Sequence, residues 1–406
     1  MRNFLLLIIT LLAVFYFCFT PLLKLDFFYG SDDDWILLKN PEVYNFSLTQ
    51  IPKYFTTVYN GQYSPINTIF YGLIFRIDGY NAFNFHLVLL VFHSINAILV
   101  FLLIILLLNL SSFSETHKFI ISYFCALMFY VHPIQIESFG WISASKVILY
   151  TFFILLSLIA YIKFLLQKLR YYYYFSIVLF LLACGSKEQA VILPLLLLLV
   201  DYHYGVLSIK ILLLKIPFFL ISIALGLCQL NFQKLSGTPV IINHTSFQLL
   251  TNVWLSMCCI GEYYLKIILP VTSCNEGISI VSDEILNKYQ FLYFIIFVCL
   301  FYITHFAIRK NKKEIVFGII FTFITLLLTL PIFPIARSTF LADRYTYLGC
   351  VGLIYTVVIY SLSQLQNRKV LKIFLIVFYV FYLFVSTYYT CQKWSKVNVD
   401  KKTFKQ

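Results

Sequence analysis

Three adjacent aspartates, Asp32, Asp33 and Asp34, follow the first apolar segment of the chain. Neighbouring carboxylates repel one another, so at least one of them should have a raised pKa or require a cation. A carboxylate in this position can act as a general base on an acceptor hydroxyl, or it can bind a divalent metal through oxygen. A solvated acidic loop would carry the same residues, and composition alone favours neither interpretation.

Ionisable and aromatic residues also stand at the ends of three later apolar segments. They are His132, Glu137 and Lys146; Lys187 and Glu188; and Asp343, Arg344 and Tyr345. A lysine at the membrane border can hold a lipid-linked phosphate as a compact point charge, and an arginine can hold it in a bidentate fork that Asp343 orients. Charges that only set the topology, a simple ion pair and an aromatic belt are the alternative interpretations.

The composition assigns these residues to a membrane protein. Of the 406 residues, 61% are hydrophobic and 12% are charged, and the mean hydropathy is +0.88, whereas soluble domains are about 25% charged. Apolar runs of spanning length exclude a soluble enzyme, a disordered protein, a coiled coil and an outer-membrane barrel. The net charge of +13 is distributed in short groups between apolar runs, which predicts a partner bilayer and no nucleic acid.

The apolar runs predict an all-α polytopic protein of about eleven crossings. Twelve segments are approximately 3–23, 84–108, 119–135, 147–166, 171–185, 189–204, 209–230, 249–270, 289–308, 315–334, 347–365 and 370–391. We expect 249–270 to lie along the outer face or to re-enter from it, because the compact basic groups of the later loops then fall inside. One domain, 1–391, is expected, with 24–83 as its first extracytoplasmic loop and 392–406 as a short basic tail.

This topology places all four groups on one outer face. Ionisable residues at membrane borders are costly and are rarely accidental, so their convergence predicts a site.

In their order, the four groups resemble a known family. The motifs are Asp32-Asp33-Asp34-Trp35 followed by Asn40-Pro41; His132-Pro133 with Glu137 and Trp141; Ser186-Lys187-Glu188-Gln189; and Ala342-Asp343-Arg344-Tyr345-Thr346-Tyr347-Leu348. The set resembles the transmembrane O-mannosyltransferases that usually carry tetratricopeptide repeats, which have the GT-C glycosyltransferase fold. The resemblance runs from about residue 28 to about residue 396. Gln135 stands where the family often has a second histidine, and no 34-residue repeat is present.

The resemblance implies sugar transfer on the extracytoplasmic side of the cell membrane, or of the endoplasmic reticulum in a eukaryote. The donor would be a polyprenyl-phosphate sugar, and the acceptor a hydroxyl of a protein, lipid or polysaccharide. It implies Asp32 as the base, with Asp33 supporting it or sharing a divalent cation. Arg344, Lys187 and Lys146 would bind the donor phosphate, and a single displacement would invert the anomeric centre. The supporting residues would be Asp34, His132, Glu137, Glu188, Asp343 and Tyr345.

Two functions from other classes stay open at this point. A transporter or flippase of lipid-linked sugars would need charges deep inside its spans, but 84–108 and 289–304 contain no Asp, Glu, Lys or Arg. A scaffold protein would leave the acidic outer site without a function.

Overall fold

The computed structural model describes residues 2–235, 246–270, 283–332, 341–363 and 369–396. Within these ranges the chain is helical and has no strand, and the one isolated bridge joins Tyr59 to Gln62. The predicted all-α class is therefore confirmed. Most of the predicted tail, residues 397–406, lies outside the described residues.

Seventeen α-helices occupy the described ranges. The first nine are α1 (Arg2–Val14), α2 (Pro41–Tyr44), α3 (Ile51–Tyr54), α4 (Pro65–Asp78), α5 (Ala82–Leu107), α6 (Glu115–Tyr130), α7 (Ile136–Gly140), α8 (Lys146–Gln167) and α9 (Arg170–Ser186). The others are α10 (Leu193–Tyr204), α11 (Ile209–Leu213), α12 (Ile216–Leu235), α13 (Ser246–Ile268), α14 (Asp283–Arg309), α15 (Lys313–Leu326), α16 (Cys350–Ser363) and α17 (Lys369–Trp394).

Six helical segments in the described residues are long and apolar enough to cross a membrane. They are Phe4–Lys24, Ala82–Leu110, Ile142–Gln167, Ile209–Phe232, Lys288–Arg309 and Ile373–Trp394. A seventh results if the bent pair Glu115–Tyr130 and Pro133–Gly140 is one span. The expected eleven crossings are not confirmed, because helices such as α10, with 12 residues, and α15, with 14, are shorter than the roughly 20 residues that a bilayer requires.

The break in the bent pair has a local cause. Proline has no backbone N–H and disfavours a helical residue before it, so α6 ends ahead of His132-Pro133. The chain then turns by 51° and passes through α7. The Nδ1 atom of His132 accepts a hydrogen bond from the backbone N–H of Ile134 at 3.3 Å, and its Nε2 lies 2.9 Å from the carbonyl oxygen of Ile267. Residues 131–150 are all buried, so this predicted outer loop is part of the protein core.

The first loop, 24–83, is folded and is anchored to that core. The carboxylate of Asp33 is fully buried and accepts hydrogen bonds from Phe28 N at 3.0 Å, from Ser143 N at 2.9 Å and from Ser143 Oγ at 2.5 Å. The loop therefore lies directly against the segment that leads into α8.

A second anchor holds the segment that carries Arg344. The hydroxyl of Tyr347 lies 2.7 Å from Nδ1 of His93 and accepts a hydrogen bond from Asn96 Nδ2 at 3.2 Å. Both partners belong to α5, a helix that packs against α6 and α8. The turn Asp343–Thr346 consequently lies beside α7 and the 3-10 turn Pro133–Gln135.

Candidate functional site

Asp32 lies within electrostatic range of cations contributed by three distant parts of the chain. Its half-buried carboxylate accepts a hydrogen bond from the indole Nε1 of Trp35 at 3.0 Å. Its charge acts electrostatically on Lys146, Lys187 and Arg344. Among the residues that the structure describes, Asp32 forms no ion pair with any of them. One acid and three cations therefore lie in the same region without forming ion pairs with one another.

Arg344 is held at one edge by Glu137. The Nη1 atom of Arg344 lies 2.5 Å from Oε1 of Glu137, and the backbone N–H of Arg344 donates to Oε2 at 2.9 Å. The guanidinium also stacks over the rings of Trp141 and Tyr345, with 5.0 and 5.1 Å from its carbon to the ring centroids. This clamp fixes the plane of the guanidinium, and a second edge could still meet an anion.

Lys187 is the least restrained cation of the group. It lies in extended conformation between α9 and a 3-10 helix, Glu188–Ile192. Its ammonium has no hydrogen bond or ion pair with any described residue, although it interacts electrostatically with Glu188, Arg344 and Asp32. Burial lowers the pKa of Lys187, the nearby charge of Arg344 lowers it further, and the carboxylates of Glu188 and Asp32 oppose that shift. An additional anion would relieve this repulsion.

Lys146 begins α8 and is buried, with 8% of its surface exposed. It donates a hydrogen bond to Oε1 of Gln62, a residue of the first loop. Glu188 contributes a carboxylate charge to the surroundings of both Lys146 and Lys187. The ends of α8 and α9 and the first loop thus meet at this position.

The two carboxylates next to Asp32 have different surroundings. Burial raises the pKa of Asp33 to about 6, although its three hydrogen bonds lower it. Both oxygens of Asp33 are used in anchoring the loop, so its position is that of a structural group rather than a second base. Asp34 pairs at 3.4 Å with the exposed Lys39, away from the cations around Asp32.

Two further predicted residues contact helix α13 instead of the cation group. Asp343 forms an ion pair at 3.1 Å with Lys266, which also lies 3.4 Å from Glu262. Asp343 therefore orients Lys266 and does not contact Arg344 through its carboxylate. His132 contacts the carbonyl oxygen of Ile267 on the same helix. Both residues connect α13 to the site region.

The arrangement does not fit a divalent cation. No group of three or more His, Cys, Asp or Glu side chains converges anywhere in the described ranges. Asp32 and Asp33, the predicted metal ligands, turn toward Trp35 and Ser143 respectively. Three hydrogen bonds already occupy the oxygens of Asp33, so the pair does not form a shared ligand set.

Sequence reasoning did not identify several residues that the fold brings to the site. Gln62 contacts Lys146 and Ser143 holds Asp33, whereas Trp35, which donates to Asp32, is part of the quoted motif. Single polar residues in a loop have no spacing signal, because their partners are 84 and 110 residues away for the first two. Only Trp35, three residues from Asp32, has a local signal in the motif.

No family model, curated protein or solved structure matches this chain. The fold and the site define an all-α protein with apolar helices of membrane-spanning length and a partly buried group of charges.

Proposed function

We propose that this protein is an integral-membrane glycosyltransferase that moves a sugar from a polyprenyl-phosphate donor to a hydroxyl acceptor. The observation that carries the proposal is that Asp32 lies within electrostatic range of Lys146, Lys187 and Arg344 and forms no ion pair with any of them. Three cations at the ends of apolar helices, of which Lys187 has no ion pair with a described residue, favour an anionic ligand whose lipid part lies between those helices.

The chemistry that we propose is a single displacement. The acceptor oxygen attacks the anomeric carbon of the sugar, and its proton passes to the carboxylate of Asp32. The bond between the anomeric carbon and the phosphate oxygen breaks, and the electron pair leaves with the lipid phosphate. Lys187 and Arg344 would stabilise the negative charge that develops on that oxygen. Attack opposite the leaving group inverts the anomeric centre.

The proposed site lies on the extracytoplasmic face of an eleven-crossing bundle. Helix α8 has 22 residues and is about 33 Å long. Lys146 begins it, whereas Lys163, Lys168 and Arg170 cluster around its other end. Basic residues in short loops favour the cytoplasmic side, which supports an extracytoplasmic position for Lys146 and its neighbours.

A transfer assay that compares variants at two neighbouring aspartates tests this proposal. Purified wild type, Asp32→Asn and Asp34→Asn would be given labelled polyprenyl-phosphate sugars and a host membrane extract. We expect a loss of at least about 10³-fold for Asp32→Asn, because the base is removed. Asp34→Asn is the matched control and should retain wild-type transfer, since Asp34 pairs with an exposed lysine.

The other outcomes have defined meanings. Equal transfer by both variants would reject Asp32 as the base. No transfer by the wild type with several sugars would reject the enzyme and favour a carrier of lipid-linked sugars.

A further inference from the structure

Helix α13 presents two polar side chains to the turn that carries Arg344. Tyr263 and Lys266 are three residues apart, so they lie on the same face of the helix, and both are buried. The hydroxyl of Tyr263 accepts a hydrogen bond from the backbone N–H of Ala342 at 3.2 Å. The Nζ atom of Lys266 lies 3.1 Å from Oδ1 of Asp343. The helix therefore holds the two residues that directly precede Arg344.

The end of α13 is itself fixed to two other parts of the chain. The last carbonyl groups of a helix have no partner within that helix. Here the carbonyl oxygen of Ile267 lies 2.9 Å from Nε2 of His132, at the break between α6 and α7. The hydroxyl of Tyr379, on α17, donates to the carbonyl oxygen of Ile268 at 2.6 Å. The end of the helix is therefore a firm support for the turn.

The turn is restrained from a second side by Glu137, on α7. Its Oε2 accepts a hydrogen bond from the backbone N–H of Arg344 at 2.9 Å, and its Oε1 pairs with the guanidinium. Three consecutive residues, Ala342, Asp343 and Arg344, thus each contact a helix outside the turn. Groups that act on a ligand must be held to within about 0.5 Å, so the position of the guanidinium depends on both helices.

Lys266 is placed to tether the turn rather than to bind an anion itself. Its ammonium lies 3.1 Å from the carboxylate of Asp343 and 3.4 Å from that of Glu262. Two carboxylates thus compensate one buried positive charge, and a phosphate would have to compete with both of them. Any effect of Lys266 on a bound anion must therefore act through the turn.

We infer that Tyr263 and Lys266 are positioning residues, which place Arg344 where it meets the phosphate of the lipid-linked donor. The inference rests on the proposed function, and it adds the support that holds one of the phosphate-binding residues. Neither side chain touches the donor. Loss of either contact would let the turn shift, and the guanidinium would then bind the phosphate less well.

Two adjacent tyrosines of α13 provide a matched test. Tyr264 is also buried, but its hydroxyl donates to the carbonyl oxygen of Ile319 on α15 at 2.5 Å, rather than contacting the Arg344 turn. Tyr263→Phe and Tyr264→Phe each remove one buried hydroxyl from the same helix, so both should lower the melting temperature in detergent. The binding probe is a polyprenyl phosphate without a sugar. We expect Tyr263→Phe to bind it about fivefold more weakly than wild type does, whereas Tyr264→Phe binds normally.

Substitution of the lysine should have a larger effect. Lys266→Met removes the tether to Asp343, and we expect it to bind the polyprenyl phosphate at least about tenfold more weakly. Lys266→Arg keeps a positive charge beside Asp343 and should restore much of the binding. Lys118→Met is the control and should bind normally, because Lys118 forms its ion pair with Glu115 at the start of α6. If Lys266→Met does not fold, because two carboxylates are left buried, the two tyrosine variants decide.

Donor kinetics separate positioning from a general loss of folded protein. In transfer assays, KM for the donor should rise in Tyr263→Phe while KM for the acceptor stays unchanged. A smaller folded fraction would lower only the apparent kcat. Equal phosphate binding by Tyr263→Phe and wild type would overturn the inference, and so would equally weak binding by both tyrosine variants.

The remaining outcomes distinguish this inference from the proposed function. The expected order of phosphate binding without any transfer would reject the glycosyltransferase and leave the positioning role standing. Transfer with an unchanged donor KM in Tyr263→Phe would reject the positioning role and leave the enzyme standing. A wild type that binds no polyprenyl phosphate would overturn both.

Discussion

Two groups of buried charges lie near opposite ends of α8, and they differ in how completely the charges are paired. At one end, Lys146 belongs to the group formed by Asp32, Lys146, Lys187 and Arg344, in which Asp32 has no ion pair with any of the cations. Toward the other, Tyr161 is fifteen residues later, about 22 Å along the helix. There Lys215 lies 2.6 Å from Oδ2 of Asp201, and the hydroxyl of Tyr161 donates to Oδ1 at 2.7 Å.

The difference separates a fully paired charge cluster from one in which some charges form no ion pair. Lys215 and Asp201 are 1% and 0% exposed and form a direct ion pair. Removing one partner of such a pair leaves a buried, uncompensated charge. Lys187, in contrast, has like-charged Arg344 in its surroundings and no ion pair with a described residue. Substitutions should therefore affect stability at one end and transfer at the other.

Among the variants that compare these two groups, Lys187→Met should have the largest effect on transfer. The rate should fall by about 10²–10³-fold, because a charge that stabilises the leaving phosphate is removed. Thermal stability in detergent should be unchanged or higher, since the substitution removes the cost of burying a charge that has no ion pair with a described residue. Initial rates and melting curves would measure both quantities. A loss of stability with normal transfer would show that Lys187 is a structural residue.

The converse is expected for Lys215→Met. The unfolding free energy should fall by about 3–5 kcal/mol, because Asp201 would stay buried without its cation. Transfer per folded molecule should remain close to that of the wild type. Adding Asp201→Leu should restore much of the stability, because a buried pair can be replaced by apolar groups. If the double variant were less stable than the single one, the pair would not be coupled as described.

Asp33 provides a third case, in which hydrogen bonds surround a buried carboxylate without a countercharge. Its folded-state pKa of about 6 lies above its ordinary value of 3.8, so the folded state binds a proton more tightly. The associated stability is complete below about pH 4 and is lost as pH rises through about 6, by about 3 kcal/mol. Melting temperatures of wild type between pH 4 and 7 would measure this slope. Asp33→Asn cannot ionise and should lack it, and an equal slope in that variant would assign the effect to another group.

The smallest expected effect is on the alkaline limb of the pH–rate profile. Because burial and Arg344 lower the pKa of Lys187, the ammonium should lose its proton at a lower pH than an exposed lysine. Transfer should then decline as pH rises. Lys187→Arg stays charged over this range and should retain its rate further into the alkaline region. An identical decline in both proteins would exclude Lys187 as the group that titrates.

The fold class could be predicted from the sequence, whereas the number of crossings could not. Apolar content identifies membrane helices because each span must bury its own backbone polar groups. Segments such as 189–204 satisfy the composition test, yet the helix there, α10, has only 12 residues. Helix length depends on where the chain breaks, as at His132-Pro133, and on packing against neighbouring helices.

Part of the site could be predicted as well. The motif order indicated Asp32, Lys187 and Arg344, which the fold brings within electrostatic range. The resemblance implied Asp32 as the base and Asp33 as its support, but the motif alone could not show how the surroundings of the two aspartates differ. Their difference arises from Ser143, which lies 110 residues away and buries one of the two.

The sequence by itself determined that this chain forms apolar helices with few charges. Runs of apolar residues long enough to span a bilayer can be recognised from the residue types and their order. Only the tertiary structure decided which charges are neutralised. Pairing depends on distances of a few ångströms between residues that are far apart in the chain. Lys215 thus forms a buried ion pair with Asp201, while Lys187 has no ion pair with a described residue.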